Sequence, residues 1–340
     1  MNSYERVMSA LSGETPDRCP VVPMVREWCC EQAGISLIQA LEDADKHVEA
    51  QVYCKQRFEY DVVWGECYAC HSESEAMGSK LKIAEGMLPS VIEPAVKDYE
   101  KDFPNLKLFD PYTNPRLSTL LKGTRQLKAK YDRQAPVFGY VQGPFRHASM
   151  LRGPENIMRD MFKNPDRLRD LCELALYSQI VYAIAVISAG ADVIFLSDPT
   201  SSGDAISKKH WELWGLHYTK PLVDVIKRSG VKTIIHICGD TSDRLESLAA
   251  TGVDCLSLDM AVDFAKAREI LGPGYCLMGN VDTSLMAFGK AADVEAAARK
   301  IVEAAGKKGG LLLSGGCLLP EICPPENIEA MVRVAHQSTY

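Results

Sequence analysis

An imidazole and thiols at defined spacing carry the chemistry that this sequence offers most clearly. His236 and Cys238 stand two residues apart in the run Ile-Ile-His-Ile-Cys-Gly-Asp at residues 234–240. The run is apolar and β-branched up to its histidine, so it reads as a buried strand. Side chains at i and i+2 of a strand point to the same face, so both metal-competent groups leave the strand end on one side. Two such groups do not make a metal site by themselves. A third donor has to come from elsewhere in the fold.

The elements that position these residues follow a regular beat. Strands are predicted over 191–197, 232–238, 254–258, 275–281 and 311–313, with helices over 207–229, 241–251, 262–271, 291–307 and 325–336. Before them, 19–25, 60–64 and 136–142 read as strands and 80–91 as a small hairpin or excursion. Helices are predicted over 2–12, 37–58, 154–162 and 165–189, and 97–131 reads as mostly helical. Alternating apolar strands and helices imply a parallel sheet covered by helices. Roughly eight strands is the count of a closed (β/α)8 barrel. The predicted fold class is therefore α/β, a TIM barrel, as a single domain over residues 1–340 with an N-terminal helical extension. An open doubly wound sheet is the alternative, but no G-x-G-x-x-G follows the first strand.

In a barrel the C-terminal strand ends form one chemically active rim. The residues predicted there are Asp61 or the loop after it, Gln142, Asp198, His236 with Cys238, Asp259, Asn280 with Asp282, and Cys317. Gly315 and Gly316 before Cys317 allow an unusual backbone turn. Two thiolates and an imidazole suit zinc, and three protein ligands leave the open position of a catalytic site. The competing reading makes His236 a satisfied core histidine and the thiols core packing.

Composition narrows the function classes. The net charge is −7 without a basic run, which argues against nucleic acid as a partner. No uninterrupted apolar run is long enough to span a bilayer, and the start lacks a signal-peptide pattern, so a cytoplasmic, membrane-free protein is expected. Its 12 cysteines are then not a disulfide framework. Cys67-Tyr-Ala-Cys70-His71 has the spacing of a haem attachment site, but that chemistry normally needs export; a loop with incidental thiols is preferred, with a second metal site as the alternative. Among partners, a homo-oligomer is left open.

Along nearly its whole length the chain resembles the uroporphyrinogen decarboxylase superfamily, and most of all its zinc-dependent methylcobamide:coenzyme M methyltransferase branch. The matching pieces are Gly143-Pro-Phe-Arg-His-Ala-Ser-Met-Leu-Arg-Gly153, Gly190-Ala-Asp-Val-Ile-Phe-Leu-Ser-Asp198 and His236-Ile-Cys-Gly239. Met278-Gly-Asn-Val-Asp282, Ser314-Gly-Gly-Cys317 and Pro325-Glu-Asn327 complete the set. The resemblance puts the family's zinc motif on His236, Cys238 and Cys317. Where decarboxylases carry an arginine-rich stretch, Pro23-Met-Val-Arg-Glu-Trp28 has Arg26 alone, and Gly315-Gly-Cys317 replaces their Gly-His-Gly. Both departures point to methyl transfer.

The resemblance implies a zinc-activated thiol, such as coenzyme M, and a methylcorrinoid supplied by a partner protein docked at the barrel mouth. Asp259 is the expected carboxylate that closes the metal site without substrate. Asp198 and Glu75, the latter in a family-like Glu75-Ala-Met-Gly78 segment, are further catalytic candidates. Arg146, His147 and Arg26 are candidate cations for an anionic end of the bound molecule. The competing functions are a metal-free porphyrinogen decarboxylase, a corrinoid-linked demethylase of a methoxy or methylamine substrate, and a non-catalytic corrinoid-handling or metallochaperone protein.

Overall fold

Near-continuous apolar runs pair into a parallel sheet in a computed structural model that describes residues 1–66, 71–84, 87–305 and 309–339. The strands are β1 Val63–Trp64, β2 Lys80–Ala84, β3 Met87–Glu93, β4 Val137–Gln142, β5 Val193–Ser197, β6 Lys232–His236, β7 Cys255–Ser257, β8 Cys276–Val281 and β9 Leu311–Gly315. Seven of them form one sheet in the order β1-β4-β5-β6-β7-β8-β9, and β2 and β3 form the separate hairpin expected over 80–91. Each neighbouring pair in the seven-stranded sheet is parallel. All residues of β4, β5 and β9 are buried, which is why these strands read as apolar runs without alternation.

The register aligns the strand ends. Gln142 pairs with Ser197, Ser197 with His236, and His236 with Ser257, so one row crosses the C-terminal edge of four strands. Helices between the strands cover the sheet. Pro165–Ser188 has the length and apolar content to cross a bilayer, unlike the sequence expectation, but here Leu168, Leu171, Ala175, Tyr182 and Val186 pack it into the core.

The expected eighth strand over 19–25 is reduced to one bridge, Val21 to Leu313. Val22 N donates to Leu313 O at 2.8 Å, Leu313 N donates to Pro20 O at 2.8 Å, and Asp61 N donates to Val21 O at 2.7 Å. Pro20 and Pro23 bracket this segment and lack the N–H groups that would extend a ladder. What forms is a seven-stranded parallel sheet rather than eight full strands.

Two helical expectations also change. The helix predicted over 37–58 breaks at Asp43, whose extended backbone ends Leu37–Glu42 and whose side chain accepts from Asp45 N to start Ala44–Phe58. The stretch 97–131 contains only a short turn at Phe103–Asn105 and the helix Pro115–Tyr131, begun by the Asn114 cap and Pro115.

Candidate metal centre and substrate cavity

His236 is the last residue of β6, and Cys238 follows as the chain leaves the sheet. Gly239 then turns the chain at φ +81°, where a Cβ would lie 2.1 Å from Asp204 Oδ2, so a side chain is excluded on two counts. Cys317 arrives from beyond β9. Gly316 before it has no left-handed backbone. Its role is close approach: a Cβ there would lie 2.5 Å from the backbone nitrogen of Met260. The expected unusual turn is thus a packing requirement.

The three donors meet. Cys238 Sγ is 3.3 Å from His236 Nε2 and 3.5 Å from Cys317 Sγ. All three ligand atoms lie within 4.8 Å of one another. The hydrogen bond between the two sulfurs pushes Cys238 up and holds Cys317 down. His236 is oriented from its other side. Nδ1 is 3.3 Å from the carbonyl oxygen of Ser257 and 3.1 Å from Ser257 Oγ. A carbonyl can only accept, so Nδ1 carries the proton and Nε2 presents its lone pair toward the sulfurs. This is the second-partner arrangement of a metal-binding histidine. An N, S, S donor set that converges while leaving room for another ligand fits zinc.

Beside the donors opens a cavity of about 560 Å³, lined by Arg26, Glu27, Tyr140, Arg146, Phe195, Ser197, the triad and residues 318–322. Phe195 stacks on His236 at 5.9 Å between centroids, and Tyr140 stacks on Phe195 at 6.3 Å. The Arg26 guanidinium lies over Tyr140 at 4.6 Å. The cavity therefore has an aromatic floor with cations at its edge.

Other expected residues fall in several places. Asp259 is buried near Cys238, with Oδ1 accepting from Ala261 N at 2.9 Å. It is not one of the three mutually close donors. Asp198 is buried behind the cavity, where burial pushes its carboxyl up to about 6 while Ser201 Oγ donates to Oδ2 at 2.8 Å. Its amide donates to His236 O at 2.9 Å, tying the end of β5 to β6. Gly143 gives it space, since a Cβ there would lie 2.6 Å from Asp198 Cβ.

Arg146 reaches the cavity, but its neighbour His147 does not line it. His147 Nδ1 is 3.1 Å from Ser74 Oγ and Nε2 is 3.2 Å from Met77 Sδ, and burial pushes the imidazole down to about 3. Consecutive helix residues point about 100° apart. Glu75 lines a different cavity and pairs with Arg116 Nε at 2.5 Å. Asn280 Nδ2 donates to Asp259 O at 2.9 Å, and Asp282 caps the helix Thr283–Phe288.

Asp61 precedes β1 and so sits at the opposite end of the sheet from the triad. There it accepts from Arg6 Nη1 at 2.9 Å, Arg18 Nη1 at 2.8 Å and Val21 N at 3.0 Å. Its placement among the rim residues is corrected: it holds the N-terminal segment to the sheet. Cys67 and Cys70 of the haem-like spacing lie outside the described residues.

Sequence reasoning missed several buried polar groups. Glu66, pushed up to about 8 by burial and the charge of Glu73, accepts from Tyr182 OH at 2.8 Å. Burial likewise raises Glu73 to about 7, and Gln142 Nε2 donates to it at 2.9 Å. Glu27 and the orienting Ser257 were missed too. The row pairing His236 with Ser257 was the available signal for the latter.

The fold and site define an α/β protein with a His-Cys-Cys metal-type centre at the C-terminal mouth of a parallel sheet. The profile of the uroporphyrinogen decarboxylase (URO-D) family matches residues 2–338, and the chain belongs to that family. It is 31% identical to a methylcobamide:CoM methyltransferase of Methanosarcina mazei, over 99% of this chain and 98% of the relative. A uroporphyrinogen decarboxylase of Azoarcus sp. is 28% identical over 77% of this chain and 74% of its own length. Among solved structures, a methyltransferase from Methanosarcina mazei superposes with a TM-score of 0.89 at 24% identity, covering 99% of both chains. That likeness speaks for the fold.

Proposed function

We propose that this chain transfers a methyl group from a methylcobamide, carried by a partner corrinoid protein at the sheet mouth, to the sulfur of a small thiol such as coenzyme M. The observation that carries the reading is the convergence of His236, Cys238 and Cys317 beside a cavity of about 560 Å³. The methylcobamide:CoM methyltransferase name of the 31% identical relative supports it. In the reaction the cobalt–carbon bond breaks and a sulfur–carbon bond forms. The thiol proton leaves, and the bonding electron pair stays on cobalt, which goes from Co(III) to Co(I).

A Zn2+ held by His236, Cys238 and Cys317 would supply the Lewis acidity that deprotonates a thiol near neutral pH. Ser257 holds the His236 tautomer that such binding requires. Asp259 is the proposed carboxylate that closes the metal site before the acceptor arrives. Arg146 and Arg26, which line the cavity, are the proposed cations for an anionic end of the acceptor. Asp198 sits behind Arg146 and steadies it electrostatically. His147, through Ser74, braces the helix Pro144–Arg152 that carries Arg146.

The reading also takes residues 1–340 as one (β/α)8 unit, with residues 20–22 as the stave between β9 and β1. The backbone bonds on both sides of Val21 support that closure. A reducing cytoplasm suits a site that depends on two free thiols. The test is reconstitution with zinc followed by incubation with methylcobalamin and thiols. Cob(I)alamin formation that is lost in His236→Ala and Cys317→Ala, together with their bound zinc, is the expected result. Full transfer by either variant would refute the assignment.

A further inference from the structure

Glu27 lines the same cavity. It is 1% exposed, and neither carboxylate oxygen has a hydrogen-bond donor beyond its own backbone amide. Its ion pair is with Arg26 Nε at 3.9 Å, beyond hydrogen-bond distance. That guanidinium also lies over the faces of Tyr140 at 4.6 Å and Trp64 at 5.8 Å. Burial raises the Glu27 carboxyl, and the charge of Arg26 opposes that rise only in part. A buried carboxylate short of donors costs free energy, and native structures rarely keep one so poorly paired.

A ligand can be that partner. An ammonium brings three N–H donors and a positive charge, which match two donor-poor oxygens. Arg146, also at the cavity, supplies the opposite recognition for a carboxylate. Sulfur at the triad, ammonium at Glu27 and carboxylate at the arginine edge together describe an α-amino-acid thiol. An alkyl thiol with only an anionic end, such as a mercaptosulfonate, would leave Glu27 unpaired.

We propose that Glu27 selects an ammonium-bearing thiol as methyl acceptor, an amino-acid thiol of the homocysteine type. The proposal rests on the methyl-transfer reading of this site. The acceptor loses its thiol proton, gains the methyl group on sulfur, and leaves as a thioether, while cobalt retains the electron pair. The ammonium takes no part in bond making and fixes the chain so that sulfur faces the triad.

Two measurements test it on the zinc-reconstituted chain. In calorimetry, L-methionine, the thioether product, is compared with 4-(methylthio)butanoate, which lacks only the ammonium. The expected result is tighter binding of methionine by roughly tenfold or more, from a charge-assisted bond in a buried site. Glu27→Gln should bring that ratio close to one, and Glu27→Asp should keep part of it. Equal binding of the two ligands by the unmodified chain would overturn the proposal, and that measurement needs no variant to fold. An unchanged ratio in Glu27→Gln would overturn it as well. In turnover with methylcobalamin, homocysteine should outpace both 4-mercaptobutyrate and 2-mercaptoethanesulfonate. Equal or faster transfer to either ammonium-free thiol overturns the selectivity but leaves methyl transfer standing. Transfer to none of the three overturns the methyl-transfer reading itself.

Discussion

Truncating Ser257 probes the proposed metal centre without touching one of its three donors. Ser257 is buried on β7 and pairs in register with His236 across the parallel ladder. Its hydroxyl is 3.1 Å and its carbonyl 3.3 Å from His236 Nδ1. Loss of an outer partner of a metal-bound histidine typically weakens the metal by about 10–100-fold. Ser257→Ala removes the hydroxyl but leaves the carbonyl, which the strand holds in place. The effect should therefore fall near the low end, about tenfold in zinc affinity or about 1.4 kcal/mol. Competition against a chromophoric chelator measures it, with His236→Ala as the reference for outright loss of a ligand. Ser257→Thr keeps a hydroxyl and should stay close to the parent. Unchanged affinity in Ser257→Ala, or a loss as large as that of His236→Ala, would refute the argument that Ser257 orients the imidazole.

Three further outcomes follow from burial and close packing. Glu66, raised by burial from 4.5 to about 8, binds a proton in the folded chain across a pH range where the unfolded chain has released it, so folded stability falls as pH rises through that window. Glu66→Gln should match the parent at pH 4 and be more stable at pH 9 by up to about 5 kcal/mol, read by urea unfolding at both values; an equal offset at both would contradict it. His147 is depressed from 6.5 to about 3, so the unfolded chain takes up the proton first and stability is lost as pH falls below 6.5. His147→Gln should flatten the decline between pH 7 and 5 by up to about 2 kcal/mol, visible in unfolding midpoints. Gly316→Ala forces a Cβ to 2.5 Å from the Met260 backbone nitrogen. It should cost about 1–3 kcal/mol in chemical denaturation and weaken zinc, because Cys317 is the next residue.

The convergence of His236, Cys238 and Cys317 was legible because it needs only two regularities: the period of two that aligns His236 with Cys238, and the βα beat that brings Cys317 to the same rim. Other parts depend on information that no local pattern carries. The Tyr60–Trp64 run reads as one strand, but pairing starts at Val63 and leaves Asp61 at the far end of the sheet. Pro20 and Pro23 were visible in the sequence, yet their effect depends on which amides face a neighbouring strand. Arg146 and His147 carry adjacent numbers but diverge around the helix, one to the cavity and one to Ser74. Glu66 and Glu73 look like the charges of a polar loop. Their burial against Tyr182 and Gln142 comes from tertiary contacts that bridge 116 and 69 positions of sequence.

The central claim is that the three donors hold one metal that activates a thiol toward a cobalt-bound methyl group. The most direct measurement is single-turnover absorbance with methylcobalamin and excess thiol, using metal-free protein reloaded with zinc in steps. Cob(I)alamin formation should rise in proportion to zinc and stop at one zinc per chain. A rate that does not depend on zinc, or that keeps rising beyond one equivalent, would contradict the account.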